Sequence, residues 1–168
     1  MWAVGGHADD RLHACQSASL RIGWKRGEQK QAIGRSRGGR NTKIHALADA
    51  KGRLLAILLT GGEAHDCPVA ERLIRRVKPA QRMLGDKAYD SAELREHLQE
   101  QRTKPVIPNR SNRKQPFSFN KRLYKLRWRI ESAFNRLKDF RRIATRYDRL
   151  ARNYLASVCL AAALVWWI

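Results

Sequence analysis

The order of strand-like and helix-like segments constrains the fold of this 168-residue chain more than any other feature. Residues Thr42 to Ala50 alternate between apolar and polar, and Arg53 to Thr60 are mostly apolar, so both segments predict strands. Only a short turn around Gly52 separates them. The two segments therefore predict an antiparallel hairpin.

After the hairpin, helical and extended segments alternate. The predicted segments are a helix Cys67–Val77, a strand 82–84, a helix Ala92–Gln101, a strand 104–108, a long helix from Tyr124 to about Ile143 and a last helix from Leu150 onward. Asp66 is a candidate cap for the first helix, which has Pro68 in its first turn, and Ser91 is a candidate cap for the second. This order predicts an α/β fold with a mixed sheet and flanking helices.

The N-terminal segment 1–30 shows no clear periodicity and predicts at most one short strand. We therefore divide the chain into a poorly defined segment 1–30 and a folded domain 31–168. Two outcomes stay open for the N-terminal strand of the sheet: it is complete, or part of it is missing. The last 15 or so residues are apolar but fall short of the roughly 20 that span a bilayer. They predict a buried helix, with Trp166 and Trp167 in the core, and no membrane anchor.

The charge of the chain points to a polyanionic partner. Lys and Arg number 35 against 15 Asp and Glu, which gives a formal net charge of +20. Such an excess is typical of proteins that bind DNA or RNA. The three cysteines, Cys15, Cys67 and Cys159, are scattered without a CxxC spacing, which favours reduced thiols in the cytoplasm over a zinc finger.

The predicted long helix carries one acid inside a basic region. Between Gln101 and Arg152 there are 17 Lys/Arg and only three acids, and Glu131 is the acid within the segment YKLRWRIESAFNRLK. At about 100° per residue, Tyr124, Arg127, Glu131 and Lys138 share one sector beside the apolar stripe. Two explanations stay open: Glu131 is a metal ligand at a nucleic-acid surface, or it is a surface glutamate neutralised by Arg127.

Asp86 is the second candidate acid, because it follows the predicted strand 82–84 and Gly85. Functional groups collect at the carboxyl ends of strands in α/β sheets, although an aspartate here can also simply cap a turn. Paired with Glu131, it could hold Mg²⁺ or Mn²⁺, cations that bind carboxylate and phosphate oxygens. Two such ions would support in-line phosphoryl transfer.

The helix and several other blocks carry a family resemblance. Tyr124, Arg127, Glu131 and Lys138 give the pattern Y-x2-R-x3-E-x6-K, which resembles the signature of the DDE transposases of bacterial insertion sequences. Further blocks over about 31–168 resemble the same family, and they are GRSRGGRNTKIHALADAKGR, LLTGGEAHD, GDKAYDS, VIPNRSNR and FRRIATRYDRLARNYLASVCLAA.

The resemblance implies a ribonuclease-H-like core that cuts and transfers DNA strands with two divalent metals. Asp86 then matches the second acid of the triad and Glu131 the third, while Lys138 contacts the element-end DNA and Tyr124 and Arg127 position phosphates. The partners implied are terminal-repeat and target DNA and further copies of the chain, in a bacterial cytoplasm at the nucleoid. The basic residues that we expect at the DNA are Arg35, Arg37, Arg110, Arg113, Arg141 and Arg142.

The first acid of the triad is the point of departure. The family carries it in a block resembling D-S-T-x-V-R-A-H, and RLHAC (11–15) resembles the end of that block. Counting back places Gly6 at the acid position, with Asp9 and Asp10 out of register. The sequence therefore predicts a truncated or frameshifted transposase or, alternatively, an inactive remnant that binds DNA through its charge. A ribosomal-type RNA-binding protein is a third class that the charge permits.

The remaining polar candidates have simpler explanations. His65 and Asp66 follow the second strand of the hairpin and serve either in catalysis or in capping the next helix. His45 predicts a packed histidine within its strand. Asp49 predicts a turn residue.

Overall fold

The computed structural model describes residues 12–22, 31–37 and 39–168. Its strands are β1 (Leu12–Ile22), β2 (Gly34–Ser36), β3 (Gly39–Ala48), β4 (Leu54–Gly61), β5 (Arg82–Leu84), β6 (Lys104–Val106) and β7 (Thr145–Arg146). Its α-helices are α1 (Asp66–Ile74), α2 (Ala92–Glu100), α3 (Lys121–Tyr124), α4 (Trp128–Lys138), α5 (Arg141–Ala144) and α6 (Ala151–Trp166). Two 3₁₀ turns cover Lys87–Tyr89 and Lys125–Arg127.

The strands form one mixed sheet with β1 near its middle. On one side β3 pairs antiparallel with β1 and β4 pairs antiparallel with β3, which confirms the predicted hairpin. On the other side β5 runs parallel to β1 and β6 runs parallel to β5. Parallel neighbours need crossover connections, and α2 provides the one between β5 and β6. The predicted mixed α/β sheet is confirmed.

Strand β1 comes from the segment for which the sequence predicted at most one short strand. It has 11 residues and pairs with β3, β5 and β7. Its Leu12, Ala14 and Leu20 belong to one buried cluster, whereas Cys15 belongs to the other. A strand that is covered on both faces need not alternate between apolar and polar residues, so it leaves no period-2 signal.

Helices cover both faces of the sheet. Ile130 and Phe134 of α4 and Tyr154 of α6 pack against the face that carries Ala14. Leu73 of α1 packs against the face that carries Cys15, together with α2. The resulting three layers place α4 directly over β1.

The helix predicted from Tyr124 to about Ile143 is divided in the structure. Lys121 to Lys138 stays helical but passes through α3, a 3₁₀ turn and α4. Phe140 then has extended backbone, with φ −78° and ψ 104°, so α5 begins as a separate turn. The predicted helix therefore starts three residues too late, at Tyr124 instead of Lys121, and it wrongly continues past Phe140.

Local capping agrees only in part with the sequence. The Ser91 hydroxyl accepts a hydrogen bond from the Leu94 amide at 3.0 Å, as predicted. Asp66 is not the cap of α1: it lies inside the first turn, and its carboxylate accepts from Ser17 Oγ at 3.1 Å and Lys43 Nζ at 3.2 Å. Asp49 accepts from the amide of Arg53 at 2.9 Å, which confirms the predicted turn residue.

The C-terminal helix α6 is only half buried. Tyr154 and Val158 face the core, but Leu160 and Trp167 are 63% and 55% exposed. The prediction that Trp167 lies in the core is wrong, because its ring is at the surface under the Arg53 guanidinium, 4.9 Å from the ring centroid. Within the described part of the chain, none of the helices has the length and apolar character needed to cross a bilayer.

A buried arginine holds the end of β7, where the sequence showed only a link between helices. Arg146 is fully buried and stacks on Tyr154, with its guanidinium carbon 5.2 Å from the ring centroid. It donates to the Gln31 carbonyl at 2.9 Å and to the Thr42 hydroxyl at 2.7 Å. Because a guanidinium has five donors, one side chain can join three separate segments of the core.

Candidate nucleic-acid site

Asp86 lies just beyond the carboxyl end of β5, as the sequence predicted. One carboxylate oxygen accepts a hydrogen bond from the Ala88 amide at 2.7 Å and so caps the 3₁₀ turn that follows. The side chain is partly exposed, and its second oxygen has no hydrogen bond to a described residue. The capping explanation is therefore observed, and it leaves half of the carboxylate for a ligand.

Glu131 lies on α4 and is joined to β1 through one arginine. Arg127 donates one terminal nitrogen to the Glu131 carboxylate and the other to Gln16 Oε1, the latter at 3.1 Å. The pairing of Glu131 with Arg127 is the second of the two explanations that the sequence left open. The Glu131 side chain is nevertheless 42% exposed, so a ligand can still reach it.

The register of the sheet brings Gln16 to the level of Asp86. Ala14 of β1 is the partner of Leu84 of β5 in the parallel pairing, and Gln16 and Asp86 each lie two residues further on. Gln16 shares the face of β1 that carries Ala14, because side chains alternate along a strand, and α4 covers that face. Gln16 is thus the β1 residue level with Asp86 and linked to Glu131.

This register changes the assignment of the first acid. RLHAC (11–15) comes directly before the block that carries the first acid and is not the end of that block. The residues after Cys15 are Gln16-Ser17-Ala18-Ser19-Leu20-Arg21, and they align with D-S-T-x-V-R. In this alignment Gln16 stands where the block has its aspartate. Gly6, Asp9 and Asp10 lie outside the described residues. Sequence reasoning missed Gln16 because a neutral side chain gives no signal for a catalytic acid.

The described residues do not fit the two-metal site that the resemblance implies. Hard divalent cations are held by several carboxylates, and here the third position is a neutral amide. In the ranges 12–22, 31–37 and 39–168 there is no group of three or more His, Cys, Asp and Glu side chains that could hold a metal. Arg127 also places a positive charge directly on the Glu131 carboxylate.

Tyr124 and Arg127 of the helix motif lie next to one another beside Glu131. The Tyr124 ring meets the Phe119 ring edge to face at 5.7 Å, and the Arg127 guanidinium carbon lies 5.7 Å from the Tyr124 centroid. Lys138 is exposed at the end of α4. The predicted DNA contacts outside the helix that are exposed are Arg35, Arg37, Arg110, Arg141 and Arg142.

Arg110 and Arg113 belong to a buried network centred on Asp90. The Asp90 carboxylate is fully buried and accepts from Arg95 Nε at 2.9 Å, from the Arg110 amide at 2.8 Å and from Arg113 Nε at 2.7 Å. Burial acts to raise the pKa of Asp90, but the hydrogen bonds from Arg113, Arg110 and Arg95 outweigh it and hold the pKa below its ordinary value. The network joins the block GDKAYDS to the block VIPNRSNR, so Arg113 has a structural role that the sequence did not indicate.

A second polar cluster lies on the opposite face of the sheet, next to Cys15. His45 is fully buried, and its Nε2 lies 2.8 Å from Thr60 Oγ1. Its Nδ1 is 3.7 Å from Asp66 Oδ1, which already accepts from Ser17 and Lys43. The packed histidine that the sequence predicted is confirmed, whereas His65 is exposed on the loop before α1.

Acidification is expected to destabilise the fold through His45. Burial lowers the pKa of His45 from 6.5 to about 4, so the unfolded chain binds the proton first. The contribution of neutral His45 to stability is complete above pH 6.5 and is lost as the pH falls towards 4, at about 1.4 kcal/mol per pH unit. Urea unfolding between pH 7 and 5 measures this slope. A His45→Gln variant should lose this dependence of unfolding free energy on pH, and a His65→Gln variant should keep it. Equal slopes in both variants would show that His45 is not the group responsible.

Comparison with known proteins identifies the family. Residues 9–166 match the family model described as "Transposase DDE domain". The chain is 37% identical over 127 residues to the transposase assigned to insertion sequence element IS6501 of Brucella ovis, a match that covers 74% of this chain and 97% of that protein. It is 31% identical over 137 residues to the transposase assigned to IS402 of Burkholderia cepacia, covering 75% of this chain and 63% of that one.

The fold has a solved counterpart at low sequence identity. A piggyBac transposase, in a synaptic complex with hairpin DNA, matches with a TM-score of 0.57 and 12% identity over 92% of this chain and 46% of that chain. This likeness shows the fold, a ribonuclease-H-like mixed sheet with flanking helices. With the motif spacing and the family match, it follows that this chain belongs to the DDE transposases of insertion sequences.

Proposed function

We propose that this chain is a transposase core that binds DNA but does not cut it by itself. The observation that carries the proposal is Gln16. It stands on β1 at the level of Asp86 and accepts a hydrogen bond from the same Arg127 that pairs with Glu131.

The charge balance of the site supports a loss of cleavage. Two divalent cations bring four positive charges, and the described part of the site offers Asp86 and Glu131 against them, with Arg127 between Glu131 and Gln16. An amide oxygen is a weaker ligand than a carboxylate for these ions, because it carries no net charge. In this site Arg127 links the Gln16 and Glu131 side chains to each other, and the low negative charge disfavours binding of two divalent cations.

DNA binding rests on features that Gln16 does not affect. The chain carries a formal charge of +20, and arginines such as Arg35, Arg37 and Arg141 are exposed. Each phosphate that a Lys or Arg neutralises releases a condensed counterion, which favours binding at low salt. The chain belongs to a transposase family, and the structurally similar piggyBac protein is in complex with hairpin DNA.

The competing function is metal-dependent cleavage and transfer of terminal-repeat DNA. Asp86 and Glu131 favour it, because both are partly exposed at the edge where the family carries its acids. It would need a further carboxylate from residues outside the described ranges or from a frameshifted partner chain. A homo-oligomeric active complex and an association with the nucleoid also stay predictions.

A binding and cleavage assay separates the two functions. We expect the chain to bind a duplex carrying the element's terminal repeat, with log K falling linearly against log salt by about 0.9 per phosphate contacted. We expect no strand cleavage in Mg²⁺ or Mn²⁺. The matched variants Asp86→Asn and Glu131→Gln should bind DNA as well as the wild-type chain, because they remove negative charge. Metal-dependent cleavage by the wild-type chain that either variant abolishes would overturn the proposal.

A further inference from the structure

A pair of like charges stands at the start of the parallel strands β5 and β6. Arg82 of β5 and Lys104 of β6 are direct partners in the parallel register. Their side chains therefore leave the sheet on the same face, with backbones about 4.8 Å apart. Like charges directly opposite one another on a sheet are destabilising, so this pairing requires another explanation.

Both cations border a cavity of about 510 Å³, and none of the described residues that line it is an acid. The lining residues are Arg82, Arg95, Gln99, Lys104, Pro105, Val106, Phe117, Ser118, Phe119, Asn120 and Leu123. Arg95 is already used, because it donates to Asp90 and to the Ile107 carbonyl at 2.9 Å. Among the described residues no carboxylate lies within ion-pair distance of Arg82 or Lys104. Counting only the residues that the structure describes, the lining of the cavity therefore carries a net positive charge.

The rest of the lining suits a phosphate that carries an organic group. The Asn120 side-chain oxygen accepts from the amides of Arg122 and Leu123, which leaves its NH₂ group as a donor. Phe119 and Val106 provide an apolar wall. Cations and amide donors bind phosphate oxygens, while an apolar wall accepts the sugar or base beside them.

The Arg82 and Lys104 side chains leave the sheet on the face that carries Gln16. Leu84 and Val106 pack in the cluster that contains Ala14 and Ile130, and Arg82 and Lys104 lie two residues before them on the same face. Asp86 lies four residues beyond Arg82, on the order of 13 Å along an extended strand. A single DNA strand could therefore contact both places.

We infer that this cavity is a binding site for a phosphodiester group of DNA, held by Arg82 and Lys104. The inference rests on the proposed DNA-binding function and names a contact that the helix motif and the basic loops do not include. It accounts for the like-charge pair, because the energy of the repulsion is recovered when an anion lies between the two side chains.

The test compares two double variants with the same loss of charge. Arg82→Ala with Lys104→Ala removes the pair, whereas Arg76→Ala with Lys78→Ala removes an exposed arginine and lysine at the end of α1. Fluorescence anisotropy with labelled DNA over a salt series gives affinity and slope. We expect the cavity variant to bind roughly tenfold more weakly than the control variant, since each partly exposed cation contributes modestly. Its slope of log K against log salt should be shallower by about 0.7 to 0.9, because the contacts to one phosphate are lost.

A charge reversal distinguishes a binding role from a structural one. Lys104→Glu should form a cross-strand ion pair with Arg82, so the midpoint of urea unfolding should stay the same or rise while DNA affinity falls. A merely structural role would lower both. If the wild-type chain binds DNA and the cavity variant binds as well as the control variant, the inference is overturned while the proposed function stands; if the wild-type chain binds no DNA, the proposed function itself fails.

Competition identifies the source of the phosphate. Inorganic phosphate and dAMP at millimolar concentration should displace little DNA, because each offers only one of the phosphates that a strand provides. Full displacement by dAMP would reassign the cavity to free nucleotides and overturn the inference. Tighter binding of an RNA strand of the same sequence, sensitive to the cavity variant, would overturn it in favour of RNA.

Discussion

Replacing Gln16 with aspartate is expected to raise the Mn²⁺ affinity of this chain by about 10- to 100-fold, the range that even outer-shell changes at metal sites produce. The substitution would place a third carboxylate level with Asp86 and on the same face as Glu131. Arg127 could still donate to it, as it does to Gln16 now. Isothermal titration with Mn²⁺ measures the change without requiring catalysis.

The matched control is Gln16→Asn, which has the size of aspartate but no charge. Mn²⁺ affinity should stay at the wild-type level in this variant, and Glu131→Gln should cancel the gain when combined with Gln16→Asp. Equal Mn²⁺ affinity of Gln16→Asp and Gln16→Asn would mean that position 16 is not the place of the missing acid.

Cleavage of terminal-repeat DNA should follow the metal affinity. Loss of one preorganised polar group changes rates by about 10²- to 10³-fold in other active sites, and we expect Gln16→Asp to exceed the Gln16→Asn background by a factor of this order. A gel assay with end-labelled duplex resolves such a difference. Cleavage at the same rate by Gln16→Asn would argue that the acid comes from elsewhere.

The Asp90→Ala variant is expected to lose about 3–5 kcal/mol of unfolding free energy, because it leaves a buried charge without its partner. Asp90 is fully buried and accepts hydrogen bonds from Arg95, Arg110 and Arg113. Without the carboxylate, the Arg95 guanidinium would remain buried, and among the described residues the Ile107 carbonyl would be its one remaining acceptor. Urea unfolding monitored by tryptophan fluorescence measures the loss.

Asp139→Ala is the matched control, since it removes an exposed carboxylate at the end of α4. It should change stability by no more than about 0.5 kcal/mol. The lowered pKa of Asp90 also fixes the sign of its pH dependence: its contribution is present above the ordinary value of 3.8 and is lost as the pH falls further. A loss below about 1 kcal/mol for Asp90→Ala would show that the network does not hold the two blocks together.

Features that depend on neighbours along the chain could be predicted from the sequence. The hairpin β3–β4 and the Ser91 cap were correct because turns and caps involve residues a few positions apart. The spacing of Tyr124, Arg127, Glu131 and Lys138 was sufficient to indicate the family, because one helix fixes their relative directions at 3.6 residues per turn.

Features that depend on distant partners were missed or misplaced. Asp66 was expected to cap α1, but Ser17 and Lys43, 49 and 23 residues away, take its carboxylate. Nothing in the sequence indicated a structural role for Arg146, although its side chain joins β7 to Gln31, 115 residues earlier. Such contacts form because the sheet brings the segments together, and nothing in the adjacent sequence encodes them.

The candidate site shows the same division. The sequence alone indicated its two candidate acids, Asp86 after a short strand and Glu131 on an amphipathic helix, because each follows from local pattern. Only the tertiary structure indicated the third residue of the candidate site. Gln16 is recognised by the parallel register of β1 with β5 and by its hydrogen bond to Arg127, 111 residues away. Strand pairing is set by the packing of the whole sheet, so a neutral residue level with the two candidate acids becomes visible only when the strands are assembled.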